Sequence, residues 1–522
     1  MKIPSLCLRS IHKLYMRKKL RRNGVKMNKP NLIYILADDM GYGDISALNE
    51  NCGFRTPNLD QMAKEGMCFT DAHSTSAVCT PSRYGILTGR YNWRSRLKSY
   101  VMGGYSEALI EEGRKTIADF LKEEGYYTAM VGKWHLGMNF SKEPGFEEQP
   151  DFAACNYVDY SGKIERSPIA NGFDYFYGIS GSLDMPPYIY IENDHFTALP
   201  DHITKGTGKG FYREGPTAPG FVHEHVLDEL TDKVLAQIEE NKEKPFFIYF
   251  PMPAPHTPIL PAKEFQGKSG TNEYGDFVLH VDHVVGQINR KLKEEGLLEN
   301  TIVIYTSDNG CSPMANYPEL LQKGHNPSYI FRGTKADIYE GGHRIPFIVQ
   351  WPREIPAGTA CDKIVCLSDI MATMCDILNI DMGESDGVDS VSNLPLWKNP
   401  HGDEVREDLI HQSIDGSLSI RKGKWKLEMC PGSGGWSDPK PGEEDAAAPK
   451  FQLYDLSVDI GEKNNIIHQY PKKAYELKKI LKNHIFRGRS TPGPIQKNNG
   501  QAIWETIKWV EEEEEEINVS IS

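Results

Sequence analysis

Short, continuously apolar runs alternate with longer stretches in which apolar residues recur every three or four positions, and this alternation governs most of the chain. The runs at 31–37 (Asn-Leu-Ile-Tyr-Ile-Leu-Ala), 127–131, 246–250, 301–306 and 345–351 lack a polar face, as expected of strands covered on both sides. Between them, the spacing of Ile117, Phe120 and Leu121, of Leu227, Leu230, Val234 and Ile238, and of Phe277, Val281, Val284, Ile288 and Leu292 marks the buried faces of helices. The punctuation agrees. Thr56-Pro57 supplies an N-cap and a first-turn proline to a helix that Gly66 stops, and Thr116 opens another that Gly125 stops. The alternation predicts an α/β fold, a large mixed, mostly parallel sheet sandwiched by helices.

Beyond about residue 400 the pattern changes. Segments 408–411, 417–421 and 425–429 read as short antiparallel strands, followed by a Gly-, Pro- and Asp-rich stretch at 431–449, another strand at 451–456 and a closing helix at 472–482. The expected division is a catalytic domain at 27–400 and a smaller α+β domain at 401–490, with a tail at 491–522 whose acidic run Glu511 to Glu516 reads as solvated. Residues 1–26 carry nine Lys and Arg, no acid, and no apolar block that would serve a secretory signal. They read as a basic leader, disordered or preceding a start at Met27, so the expected compartment is cytoplasmic as written and periplasmic or secreted if the start differs.

Composition narrows the classes. A net charge of −13 over 522 residues argues against a nucleic-acid partner. Ten cysteines without a CxxC pair give neither a disulfide framework nor a zinc knuckle, and no apolar stretch is long enough for a membrane span.

Polar residues cluster where the strands end. Asp38 and Asp39 follow the first strand, Asp308 and Asn309 the strand at 301–306, Lys133 and His135 the strand at 127–131, and His256 a proline-rich segment after 246–250. Lys335 precedes the strand at 345–351. Open α/β sheets bind ligands beyond the carboxyl ends of their strands, so these segments are expected to converge. Asp38, Asp39, Asp308 and Asn309 offer hard oxygens that suit Ca²⁺ or Mg²⁺ rather than zinc, their number favouring Ca²⁺; either pair alone also reads as a simple turn. Lys133 and His135 occupy alternate positions, so in an extended segment they share a side. Cys79 lies in Ser76-Ala-Val-Cys-Thr-Pro-Ser-Arg83 at the start of an apolar helix, with Arg83 one turn on and an anion-attracting helix terminus between them. Taken as ordinary chemistry, Cys79 is a buried thiol, half of a disulfide or a thiolate nucleophile, and the pentapeptide does not choose.

The Cys-x-Pro-x-Arg core, together with Gly-Lys133-Trp-His135-Leu-Gly, resembles the paired signatures of type I, formylglycine-dependent sulfatases, arylsulfatase-like members of the alkaline-phosphatase superfamily. The likeness runs from about Asn31 to Ile466 and includes Leu453-Tyr-Asp-Leu. It implies that a formylglycine-generating maturation enzyme oxidises Cys79 to an aldehyde whose hydrate attacks sulfur. It further implies a Ca²⁺ held by Asp38, Asp39, residue 79, Asp308 and Asn309. Arg83 would hold the hydrate, Lys133 and Lys335 the sulfate, and Ser182 would lend a hydroxyl beside it. His256 would protonate the leaving alcohol, and His135 would help sulfate depart. The departures lie in loops expected to face substrate, at His343 and in the loop Pro431 to Ser437 that holds Trp436, and a further loop runs from Asp184 to Tyr190. Their composition suits an exo-acting sulfatase of sulfated galactose or N-acetylgalactosamine. Three other readings stay open: a phosphomonoester, phosphodiester or phosphonate hydrolase of the same superfamily, a non-catalytic sulfoglycan-binding relative, and a thiol enzyme using Cys79 directly.

Overall fold

A computed structural model describes residues 29–143 and 157–512; the basic leader and most of the acidic run at 511–516 lie outside the described residues. Ten strands form one mixed sheet. In chain order they are β1 (Asn31–Ala37), β2 (Met67–Phe69), β3 (Tyr127–Lys133), β4 (Tyr175–Ile179), β5 (Ile191–Glu192), β6 (His195–Phe196), β7 (Phe246–Pro251), β8 (Thr301–Ser307), β9 (Phe347–Gln350) and β10 (Thr359–Cys361). Their order across the sheet is β10-β2-β9-β8-β1-β7-β3-β4-β5-β6. The central strands β8, β1, β7, β3 and β4 are mutually parallel, and antiparallel pairings enter at β9 and β5. The sheet expected from the apolar runs is therefore present.

The period-two geometry of a strand explains why those runs have no polar face. Leu32, Tyr34 and Leu36 of β1 point into one core, shared with helices α2 (Cys79–Thr88) and α3 (Ile117–Glu123). Ile33, Ile35 and Ala37 point into a second core on the other face, shared with α1 (Pro57–Glu65), α4 (Val226–Glu240) and α5 (Glu273–Glu294). Every β1 residue is buried because each face has its own cover. Local signals start and stop the helices as expected. Thr116 accepts from the backbone N–H of Ala118 and Asp119, while Asp119 returns the bond to Thr116 N, closing a capping box on α3.

A separate four-stranded antiparallel sheet follows: β11 (Leu409–Gln412), β12 (Leu418–Lys422), β13 (Trp425–Glu428) and β14 (Gln452–Asp455). Helix α6 (Pro471–Arg487) packs Leu477, Leu481 and Ile485 on it, running past the expected end at 482 because Ile485 belongs to this core; Gly488, at φ 65°, then ends it. The stretch beyond 490 is not a loose appendage up to Val510. Trp504, Ile507, Trp509 and Val510 are buried in the same core, which their size alone favours.

Candidate active site

Four adjacent parallel strands, β8, β1, β7 and β3, end on the same edge of the sheet, and each delivers polar residues there. Asp308 and Asn309 leave β8, Asp38 and Asp39 leave β1, and Lys133 closes β3. His256 follows β7, whose loop is fastened by the Asp38 N–H donating to Ala254 O at 3.0 Å. Between parallel strands about 4.8 Å apart, side chains at neighbouring ends meet without any special loop. Helix α2 brings Cys79 and Arg83 in from one face, all ten of its residues buried.

The contacts form one network. The Arg83 guanidinium donates through Nε and Nη2 to Asp308 Oδ2 at 3.0 and 2.7 Å, and through Nη1 to Lys133 O at 2.9 Å. Lys133 Nζ donates to Asp38 Oδ2 at 2.6 Å and to Ser182 Oγ at 3.2 Å. Lys335 Nζ lies 2.6 Å from Asp39 Oδ1 and 3.4 Å from Cys79 Sγ. His256 Nε2 is 3.5 Å from Asp39 Oδ2, and its Nδ1 meets Thr257 O at 2.5 Å and Ser182 Oγ at 3.3 Å. One ligand atom from each of Asp38, Asp39, Cys79 and His256 lies within 4.8 Å of the others. Asp39 holds the left-handed conformation, φ 66°, at this junction, and such non-glycine positions concentrate at functional sites.

Charge is dense and dry. Burial alone opposes ionisation of Asp38, but Lys133, His256 and Arg83 outweigh it and hold that carboxyl well below its ordinary range. Burial and the neighbouring Asp38 push Asp308 up to about 7. Burial also pushes the Cys79 thiol up to about 12, despite Lys133 and Lys335, so the encoded side chain is a neutral thiol near pH 7. Asp38 Oδ1 and Asn309 Oδ1 are buried without a hydrogen-bond partner. Orphaned buried oxygens are costly, and a hard divalent cation is the partner such a donor set fits.

His135 departs from expectation. Lys133 is the last residue of β3, but the chain then turns, with His135 in the left-handed region at φ 57°, so the two side chains are not successive members of an extended face. The His135 Nε2–H donates to Met102 O at 2.7 Å, leaving a buried, unpartnered Nδ1. Burial, Lys133 and Arg83 hold its pKa well down, which makes it a neutral base.

The substrate-side residues separate. Ser182 joins Lys133 to His256 as described, and Asp184 lies beside it, mostly buried, with its carboxylate paired to Arg213. Trp436 is 42% exposed on a loop held by Asp337, which accepts from Trp436 N at 2.8 Å and Ser437 N at 3.0 Å, two residues beyond Lys335. His343 is corrected: it is fully buried in another cluster, where its Nδ1 meets His73 Nδ1 at 3.0 Å, its Nε2 meets Lys426 Nζ at 3.1 Å, and its ring stacks on His411 at 3.6 Å. Its partners, Lys426 of β13 and His411 of β11, place it in the joint between the two sheets.

Hydrophobic patterning does not single out Arg213 or Asp337. Arg213 belongs to an arm between the short strands His202–Thr204 and Gly215–Thr217, too brief to leave a periodic pattern. Asp337 could have been suspected from its spacing to Lys335. The arm and the Lys335 segment are both strapped to the centre. Ile259 N donates to Lys209 O at 2.9 Å, while Ala336 N donates to Ala77 O at 2.8 Å and Ala336 O accepts from Ile414 N at 3.0 Å. Ala77 N in turn donates to Gln412 O at 2.8 Å, and Ser76 Oγ donates to the same oxygen at 2.8 Å.

A mixed sheet whose parallel strand ends hold acids, an amide and buried cations around one residue defines a cation- and anion-binding site of the open α/β class. Comparison narrows the class. The family model for Sulfatase matches residues 30–380. An N-acetylgalactosamine-6-O-sulfatase of Bacteroides thetaiotaomicron is 34% identical over 500 residues, covering 88% of this chain and 94% of that protein. A human steryl-sulfatase is 31% identical over 445 residues, covering 74% and 72%. A solved structure described under the metabolism of multiple glycosaminoglycans by Bacteroides thetaiotaomicron superposes with a TM-score of 0.74 at 33% identity, covering 87% of this chain and 99% of that one. The chain belongs to the sulfatase family and is a sulfuric ester hydrolase.

Proposed function

We propose that the protein releases inorganic sulfate from a terminal sulfate ester of a galactose-type sugar, N-acetylgalactosamine or galactose, acting from the chain end. The observation that carries the reading is the gathering of Lys133, Lys335 and Arg83 around Cys79 beside two orphaned oxygens, because it makes a dry pocket for one tetrahedral anion. The sugar assignment rests on the named activity of the relative at 34% identity.

Asp38, Asp39, Asp308 and Asn309, with residue 79, would hold a Ca²⁺, which polarises a sulfuryl oxygen when bound. Residue 79, once matured to formylglycine and hydrated, would supply one hydroxyl to displace the sugar oxygen from sulfur and a second whose loss of a proton would expel sulfate and restore the aldehyde. The encoded residues then have separate tasks. Lys133 and Lys335 offset charge on the sulfuryl oxygens, and Arg83 fixes the carboxylate of Asp308 behind them. His256 presents Nε2 towards the ester and passes a proton to the leaving oxygen; a bound anion favours its protonated form. His135, neutral and with Nδ1 unengaged, takes a proton as sulfate leaves. Ser182 holds Lys133 and His256 in register, and Asp184 and Trp436 border the sugar.

The test is sulfate release from 6-sulfated N-acetylgalactosamine, 6-sulfated galactose, a steryl sulfate and the 6-phosphate of the same sugar. The reading expects the sugar sulfates to lead. A phosphate preference of about a hundredfold would replace it with phosphoester hydrolysis, and turnover of steryl sulfate alone would overturn the sugar assignment.

A further inference from the structure

The pair Asp184 and Arg213 lies at the edge of the catalytic network, Asp184 being coupled to Ser182 and His256 while Arg213 reaches it from a separate arm. Ser182 Oγ touches both Lys133 Nζ and His256 Nδ1, and two residues on, the chain presents the Asp184 carboxylate. Burial opposes its ionisation, but His256 and Arg213 outweigh burial, so the group is an anion. Its Oδ2 pairs with Arg213 Nη1, while its Oδ1 is buried without a hydrogen-bond partner. Arg213 comes from the arm between His202–Thr204 and Gly215–Thr217, and its side chain is 37% exposed.

The backbone at this point is unusually well fixed. Arg213 N donates to Asp184 O at 3.0 Å, and Tyr188 Oη bridges Asp184 O at 3.2 Å and Arg213 O at 2.6 Å. Tyr188 is itself 1% exposed and stacks edge-on against Tyr212, the neighbour of Arg213. The tip of the same arm is tied to the His256 loop through Lys209 O and Ile259 N. A charge pair held this way on two chain-distant segments, beside the proton-donating histidine, is preorganised for a ligand.

Electrostatics select the ligand group. An ionised carboxylate can only accept, and a sulfate ester has no hydrogen to give it, so Asp184 repels the sulfuryl end and receives a donor from elsewhere on the substrate. A guanidinium can only donate. A single hydroxyl satisfies both, giving its hydrogen to Asp184 and accepting from Arg213.

We propose that Asp184 and Arg213 together read one ring hydroxyl close to the sulfated position of a sugar and thereby determine which sugar sulfate is accepted. This rests on the sugar sulfatase reading above and adds the group that discriminates. An analogue lacking the hydroxyl, or carrying it with inverted configuration, leaves the buried carboxylate facing carbon, a mismatch that sites built on charged hydrogen bonds reject strongly.

The experiment compares kcat/KM for a 6-sulfated galactoside with its singly deoxygenated analogues, in the wild type, Asp184→Asn and Arg213→Ala. The wild type is expected to lose about 30-fold or more at one deoxygenated position and little at the others. In both variants that ratio is expected to shrink below about threefold, because the discriminating contact is gone. Equal wild-type turnover of all analogues, or variants that slow every substrate in the same proportion while keeping the ratio, would overturn the proposal. Calorimetric binding of the same sulfated sugars to Cys79→Ala separates the two readings, since it needs no turnover. Loss of affinity at one deoxygenated position supports the hydroxyl reader even where sulfate release fails, and equal affinity for all of them refutes it.

Discussion

Replacing Lys426 by Met should destabilise the protein by about 3–5 kcal/mol, the cost of leaving buried carboxylates without their cation. Lys426 has no exposed side-chain surface; its Nζ lies 2.6 Å from Glu462 Oε1, 3.2 Å from Glu340 Oε1 and 3.2 Å from Glu428 Oε1, and it donates to Ile338 O at 3.0 Å. Burial raises Glu428 far above the ordinary range, so it is protonated and contributes little to the loss. Burial raises Glu462 as well, so Glu340, which Lys426 holds well below the ordinary range, carries most of it, although Arg344 remains 3.2 Å from Glu340 Oε2. With an unfolding entropy of about 2.1 cal/mol/K per residue over 522 residues, a change of about 4 kcal/mol lowers Tm by about 4 °C. Differential scanning calorimetry of Lys426→Met reads this directly. The combined variant Lys426→Met, Glu340→Gln, Glu462→Gln should recover at least about half of the loss, because no charge is then left buried and unpaired. A single variant within about 1 °C of wild type, or a combined variant no better than the single one, would refute the reasoning.

Other expectations follow from the same structure. His223 stacks on Tyr212 at 3.7 Å with Nε2 buried and unpartnered, and burial lowers its pKa from 6.5 to about 4. The unfolded chain therefore binds this proton before the folded one, so stability falls as pH drops from about 6.5 to about 4 and this contribution levels off below. His223→Gln should flatten that slope in pH-dependent melting; equal slopes for the two proteins would count against the assignment. Chelation of the active protein should abolish sulfate release, with Ca²⁺ restoring it better than Mg²⁺; unchanged activity or restoration by zinc alone contradicts the oxygen donor set. The peptide containing Cys79 from active protein should be about 18 Da lighter than encoded, the difference between a thiol side chain and an aldehyde. An unmodified peptide in a fully active preparation would sink the proposed chemistry.

The parts of the fold readable from sequence are those that depend on neighbours in the chain. The β1 run, the α3 cap at Thr116 and the helix face from Phe277 to Leu292 each carry their instructions locally, and the structure uses them. The acids at strand ends were also legible, because parallel strands deliver consecutive chain ends to one edge. What escaped depends on pairing between distant segments. His343 looked like a loop residue because its burial is supplied by Lys426 and His411 of the other sheet, 83 and 68 positions away. The ring of His135 is held by the Met102 carbonyl, 33 positions earlier, and Arg213 acquires meaning only through Asp184, 29 positions earlier. Neither contact leaves a periodicity to read.

The strap at Gln412 has a consequence for how such a chain can change over generations. One carbonyl of β11 receives both Ala77 N–H and Ser76 Oγ–H, so the turn entering Cys79 is hydrogen-bonded like an added edge of the second sheet. Ile414 then secures Ala336, next to Lys335. The change of pattern near residue 400 is a seam in the text of the sequence, but no seam exists in the bonding that shapes the catalytic turn. Exchange of the C-terminal portion with that of another protein would carry off one acceptor, Gln412 O, and one donor, Ile414 N–H, that hold the turn entering Cys79 and the Lys335 segment. The two sheets therefore form one mechanical unit, and a change that shifts the 412–414 backbone would also shift the turn that enters Cys79.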